Sequence, residues 1–400
     1  FDTIDYSSNI SGINADLELG TITDNSGKFD NINGFERLIA TELNDLLNGS
    51  SQDDVIIGGL GDDFMDGGLG SDTLIGGLGD DTLQGSGGDD VFVVDGGEDV
   101  FDGGEGHDTV DFSSSVSGVS VDLSSGTLVD GSGLVDEFTS LESVIGSGFS
   151  DVITGSSTSE VLFGGNGSDI ITGGGGTDVI DGGGGDDVLE VDGSFGGTIE
   201  GGSGSDSLDL VGLTNQVLVS GVEVITGGFG SDHLTVTSNH IQQISGGDGT
   251  DEVLLTSGAG NTVLLDGVEF IAGGSGSDHL TLISNHIQKI SGGSGKDEVL
   301  LTSSAGNTVE LSGVEVITGG FGSDHLTVTS NHIQQISGGD GTDEVLLTSG
   351  AGNTVLLDGV EFIAGGSGSD HLTVTDDTSV SIDGGLGSDT LIGGLGDDTL

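Results

Sequence analysis

Aspartate recurs in this chain every nine residues, at Asp45, Asp54, Asp63, Asp72, Asp81, Asp90, Asp99 and Asp108. It recurs again at Asp151, Asp169, Asp178 and Asp187, with Glu160 filling the vacant place. Carboxylates brought into line by folding repel one another unless they share a cation, and a site that offers only oxygen donors selects a hard one. Most of these aspartates close a glycine-rich loop. Residues 58–66 read GGLGDDFMD, 67–75 GGLGSDTLI, 76–84 GGLGDDTLQ and 85–93 GSGGDDVFV, and the second series has GGNGSD, GGGGTD and GGGGDD. Glycine reaches positive φ at no steric cost and lets its carbonyl approach an ion, so both halves of a ligand set are present.

The elements that must position these groups are equally regular. Two places after each aspartate stands an apolar residue: Leu47, Ile56, Met65, Leu74, Leu83, Phe92, Phe101 and Val110, then Ile153, Leu162, Ile171, Ile180 and Leu189. Each nonapeptide therefore reads as one glycine turn and one short strand, with the residue at position seven facing solvent. Two turns and two strands make a coil of 18 residues, and stacked coils pair each strand with the one 18 residues away, about 4.8 Å distant. The expected fold class is all-β, a parallel β-roll or β-helix solenoid of glycine-aspartate nonapeptide repeats. Stacking sets Asp63 below Asp81 and Asp72 below Asp90. At an effective dielectric of about 20 and a separation of about 5 Å, such a pair repels by about 3 kcal/mol.

Calcium reverses that sign. It accepts six to eight oxygen ligands in irregular geometry, whereas magnesium demands a tighter octahedron. The expected ligands in the first array are Asp54, Asp63, Asp72, Asp81, Asp90, Asp99 and Asp108, with Gly58, Gly61, Gly67, Gly70, Gly76 and Gly79. In the second they are Asp151, Asp169, Asp178, Asp187 and Asp206, with Gly164, Gly167, Gly173, Gly176, Gly182 and Gly185. Three loops depart from the pattern and have the poorest claim to an ion: ATELND (40–45), GSSQDD (49–54) and GSSTSE (155–160).

Beyond residue 200 the motifs fall at Asp232, Asp251, Asp278, Asp297, Asp324, Asp343 and Asp370, spaced alternately 19 and 27, and are expected to bind fewer ions per coil. Each 46-residue unit then holds five half-coils. Five is odd, so successive units present their motifs on opposite edges and two units restore the first. Residues 220–281 and 312–373 are identical at an offset of 92, which recent duplication explains equally well. Asp389 and Asp398 close a stretch, 383–400, that repeats 66–83. Two spacers, 1–48 and 107–154, match at an offset of 106 (FDTIDYS with HDTVDFS, FERLIA with LESVIG). Glu36, Glu142, Glu223, Glu269, Glu315 and Glu361 each precede the first aspartate of a block by nine residues, as a degenerate lead-in coil would.

The expected organisation is a spacer with its lead-in coil over 1–48, a first calcium array over 49–111, a spacer over 112–145 and a second array over 146–209. The 46-residue units follow over 210–375, and a further array starts at 376–400. Motifs begin and end in mid-pattern, as in a piece of a longer protein. Composition narrows the partners. Against 68 acidic residues stand only Lys28, Arg37, Lys289 and Lys296, a net charge of −64. Such a chain is repelled by nucleic acid and by anionic lipid, no apolar run is long enough to span a bilayer, and the lack of cysteine excludes a disulfide framework.

The loops GGLGDDFMD, GGLGSDTLI and GGNGSDIIT resemble the repeats-in-toxin (RTX) family, the haemolysin-type calcium-binding repeat. The resemblance covers 45–111 and 146–209 closely and 220–400 more dilutely. It implies a parallel β-roll with multiple Ca²⁺ ions held between turns, type I secretion from a bacterium, and folding only outside the cell. Family members include toxins, proteases, lipases, adhesins and surface-layer proteins. The reading preferred here is a secreted or cell-surface structural segment with no catalysis of its own. Other surface proteins, polysaccharide or calcium-bridged copies are its further partners. The rival is the C-terminal secretion and stabilising module of a type I secreted enzyme or toxin. Recurrent histidines (His233, His279, His325, His371; His240, His286, His332) raise zinc as an alternative, but an exposed polar strand face is the simpler reading. Ser231, Asp232 and His233 mimic a hydrolytic trio in letters only, because adjacent strand residues point to opposite faces.

Overall fold

A computed structural model describes residues 2–24, 26–192, 195–212 and 214–400, and among these every regular element is a β-strand. The repeat itself dictates how the strands are set. Side chains alternate across a strand, so positions six, eight and one of successive nonapeptides all point the same way. Asp54, Ile56 and Gly58 are buried, while Val55, Ile57 and Gly59 between them are half-exposed. Position seven thus faces outward as expected, and the aspartate faces in.

The chain forms two compact units, residues 2–192 with 200–206 and residues 195–199 with 207–400. In the first, strands pair in parallel with a register of 18 residues, Val55 on Thr73 and Ile56 on Leu74 in one sheet, Phe64 on Thr82 and Met65 on Leu83 in the other. The core between the sheets is a double file one side chain deep: Ile56, Leu74, Phe92 and Val110 against Leu47, Met65, Leu83 and Phe101, none more than 1% exposed. Phe92 and Phe101 meet edge to face with centroids 5.6 Å apart. Each such side chain contributes roughly 1.5–3 kcal/mol on burial, and most nonapeptides of the first array supply only one.

Each spacer inserts antiparallel strands among strands that stack in parallel with the roll. Ile13–Asp16, Thr21–Asp24 and Phe29–Asn31 form an antiparallel meander, and Ser120–Asp122, Thr127–Val129 and Val135–Thr139 form its counterpart. Gly20 and Gly126, at φ of 65° and 71°, make equivalent turns 106 residues apart. While the second meander loops out, the other sheet continues without a break from Thr109–Asp111 to Ser143–Ile145.

In the second unit five strands occupy each 46 residues: Val224–Thr226, His233–Val236, Gln243–Ser245, Glu252–Leu255 and Thr262–Asp266, then the next five from Phe270–Ala272. His233–Val236 pairs with Glu252–Leu255 in one sheet, His279–Leu282 with Glu298–Leu301 in the other, and His325–Val328 returns to the first. The odd strand count therefore alternates the motifs between the sheets.

A core this thin depends on each member. Leu74→Ala is expected to cost about 2–5 kcal/mol and to raise the calcium concentration at which β-sheet forms, read by far-ultraviolet circular dichroism during a calcium titration.

Candidate metal centre

Turned inward, the position-six carboxylates form continuous ladders. The backbone N–H of each aspartate donates to Oδ1 of the aspartate one coil later. Asp45 donates to Asp63, Asp63 to Asp81 and Asp81 to Asp99 on one edge; Asp54 to Asp72, Asp72 to Asp90 and Asp90 to Asp108 on the other, all at 2.7–2.9 Å. Asp151, Asp169, Asp187 and Asp206 continue the arrangement in the second array. In the second unit Asp232 donates to Asp251, Asp278 to Asp297, Asp324 to Asp343 and Asp370 to Asp389. All the expected aspartates are buried except Asp389 and Asp398, which are half-buried.

In most of these carboxylates one oxygen serves the backbone and the other is left over. Oδ2 of Asp63, Asp72, Asp81, Asp90, Asp108, Asp169, Asp178, Asp232, Asp251, Asp278, Asp297, Asp324, Asp343 and Asp370 is buried with no hydrogen-bond partner, as is Oδ1 of Asp54. A buried, unpaired carboxylate oxygen is costly. Its surroundings are glycine backbone. A Cβ on Gly164 would stand 2.5 Å from Asp169 Oδ2 and 2.5 Å from the Gly182 carbonyl oxygen; on Gly273, 2.6 Å from Asp278 Oδ2 and 2.6 Å from the Gly292 oxygen.

The two expected glycine positions serve different ends. Gly61, Gly70, Gly79, Gly167, Gly176 and Gly185 hold positive φ, from 104° to 138°, which only glycine adopts freely. Gly58, Gly67, Gly76, Gly164, Gly173 and Gly182 do not. Crowding by the carboxylate or its neighbours, not φ, excludes a side chain there.

Desolvation dominates the electrostatics. Burial, reinforced by Asp81 and Asp45, pushes Asp63 up to about 8. Burial with Asp90 and Asp54 takes Asp72 to about 7, and burial also lifts Asp169, Asp251 and Asp324 to about 6. Neighbouring carboxylates repel at about 3 kcal/mol a pair, which matches or exceeds what one core side chain returns, so the ladder must be neutralised. Its donors fit calcium: all are hard oxygens, two carboxylates and glycine carbonyls, and calcium accepts irregular mixtures of both. Among the described residues no three His, Cys, Asp or Glu side chains converge on a metal position, so backbone carbonyls must supply most of the shell.

Not every expected residue is equally free. Both oxygens of Asp151 are engaged, Oδ2 by the Ser147 amide at 2.6 Å and Oδ1 by the Val119 amide at 2.7 Å and the Ser147 hydroxyl at 2.8 Å. Asp45, in the glycine-free loop, is likewise held by Thr41 and Ile13. Glu160 accepts from Ser156 and Thr158.

The ladders also contain residues that the nonapeptide period conceals. Asn261, Asn307 and Asn353 donate both backbone N–H and Nδ2 to Oδ1 of Asp278, Asp324 and Asp370 at 2.6–2.8 Å, and Asn215 does the same to Asp232 at 2.8 Å. The recurring glutamates are not lead-in residues alone. Glu269, Glu315 and Glu361 accept from the amides of Asp251, Asp297 and Asp343, ending the preceding ladder. Their spacing of 18 from those aspartates is the signal in the sequence.

The histidines stand outside this interior. Nδ1 of His233, His279 and His325 lies 2.8, 3.1 and 2.9 Å from Glu252, Glu298 and Glu344 on half-exposed strand faces. Asp232 is buried while His233 is partly exposed, so the trio with Ser231 does not assemble.

The RTX calcium-binding nonapeptide repeat family matches four stretches, residues 39–74, 75–110, 154–189 and 379–400. No curated protein matches the chain.

A pH dependence follows. Folded carboxyl groups here hold protons above their ordinary value of 3.8, so without metal the roll is most stable below that value and loses this stability as pH rises through about 6 to 8. Circular dichroism in chelator is expected to lose β-sheet between pH 4 and 8, whereas with millimolar calcium the signal persists, because binding displaces the protons.

Proposed function

We propose, for a chain that carries RTX calcium-binding nonapeptide repeats, that it is a structural segment of a large secreted or cell-surface bacterial protein, of the adhesin-stalk or surface-layer type, folding on calcium after export. RTX repeats bind calcium ions at several sites, and the β-roll is a structural fold. The observation that carries the proposal is the file of buried carboxylate oxygens without partners, those of Asp63, Asp72, Asp81, Asp90 and Asp108 in the first array alone.

The position-six aspartates and the glycine carbonyls beside them are the ligands in this reading. Each aspartate is shared, since its carboxylate touches the coil below while its backbone joins the coil above. When bound, calcium supplies the positive charge that these side chains lack. Low free calcium inside a cell leaves the chain self-repelling and unfolded, and millimolar calcium outside stabilises the folded state by mass action. The near-identical 92-residue duplication favours a long repetitive surface protein over an enzyme's secretion module, which needs only a few repeats.

Titrating calcium into the metal-free chain at pH 7.5 is expected to convert coil to β-sheet cooperatively; a flat titration overturns the reading. Asp72→Ala should weaken binding in the first array and leave the units beyond residue 220 nearly untouched, measured by calorimetry on the whole chain. Finding this segment at the C-terminus of a catalytic polypeptide would replace the structural role with the secretion-module one.

A further inference from the structure

One ladder outruns the nonapeptides that build it. On the edge carrying Asp45, Asp63, Asp81 and Asp99 the next rung is Asp136, 37 residues on instead of 18, and the Asp99 amide donates to Asp136 Oδ1 at 2.7 Å. The chain between loops out as the second meander and returns in Val135–Thr139, which pairs in parallel with Val100–Glu105 and sets Phe138 on Phe101. Asp136 and Phe138 thus occupy positions six and eight of a strand that lies outside the repeat.

This rung shares the backbone hydrogen bond and the burial of the regular ones, although Val94 stands in the Asp99 loop where they carry glycine. Asp136 is 1% exposed and Asp99 3%, and Asp136 Oδ2 has no hydrogen-bond partner. The charges acting on the pair are all negative. Asp130, Glu98 and Asp95 face Asp136, and Asp81 and Asp95 face Asp99, with no lysine or arginine among them. Asp130 is engaged in its own turn by the amides of Ser132 and Leu134, and Asp95, exposed beside the rung, accepts from the Gly77 and Gly96 amides at 3.1 Å.

We propose that Asp99 and Asp136, with the negative charge of Asp95 nearby and not as a third ligand, hold a calcium ion that staples the inserted segment 112–134 onto the end of the first array. The donors are oxygen only, which suits calcium and not zinc, whose sites favour nitrogen and sulfur. The site rests on the calcium reading of the whole ladder, and it extends that reading to a segment in which no repeat is visible.

The test is calcium stoichiometry by equilibrium dialysis on the full chain, with circular dichroism confirming the roll. Asp136→Asn keeps the acceptor for the Asp99 amide and removes the charge. It is expected to bind one ion fewer than the unaltered protein and to lose calcium-dependent protection of 112–134 against a non-specific protease. Asp95→Asn, a surface change, should weaken the same ion about tenfold without disturbing the fold, and it serves if Asp136→Asn does not fold. Asp63→Asn is the control for the regular ladder. Unchanged binding in Asp136→Asn and Asp95→Asn alongside a loss in Asp63→Asn overturns this site alone. No loss in any of the three overturns the ladder reading with it.

Discussion

A carboxylate that faces inward without a positive partner is the condition on which everything else in this chain depends. Strand alternation sends positions six, eight and one to the interior together, so the residue with the greatest cost of burial shares a row with the residue that forms the core. The fold uses that carboxylate twice. One oxygen satisfies a backbone N–H of the coil below, which would otherwise be orphaned inside the protein, and the other is left for a cation. Removing the carboxylate group altogether would therefore also remove a hydrogen bond that spaces the coils. This links ion binding to backbone order more tightly than a surface site could, because neither the ladder nor the turns can be completed alone.

The second unit meets the same condition with a different termination. Three of its ladders open with asparagine and close with glutamate, as in Asn261, Asp278, Asp297 and Glu315. The asparagine amide approaches the first aspartate with two N–H donors, so that carboxylate gains a neutral neighbour on one side. Only the central Asp–Asp step reproduces the charge density of the first array. Repulsion is thereby confined to short blocks, and half-exposed His–Glu pairs line the outer strand faces.

Much of this was legible in the residues. The period of nine, the apolar residue two places after each aspartate and the parallel register of 18 all carry through to the pairing of Ile56 with Leu74 and of Met65 with Leu83. The odd count of half-coils per 46 residues was legible too. What could not be read was the direction of the aspartate, since a charged side chain next to a turn is ordinarily solvated, and only strand alternation registered against Ile56 reveals that Asp54 points inward. The requirement for glycine at Gly164 was hidden for the same reason: the crowding comes from Asp169 and Gly182, and φ is not what demands it. Asp136 escaped because an insertion of antiparallel strands breaks the spacing, although Phe138 two residues later preserves the local pattern.

The alternation of sheets in the second unit constrains how such a chain can change length. Unequal recombination between copies that gained or lost a single 46-residue unit would turn every later strand from one sheet to the other, exchanging the outward row that begins at His325 with the row that begins at His371. Gain or loss of two units would leave each downstream residue on its original side. An array whose surface is selected for what it displays is thus free to grow only in steps of 92 residues, the interval at which residues 220–281 and 312–373 are identical.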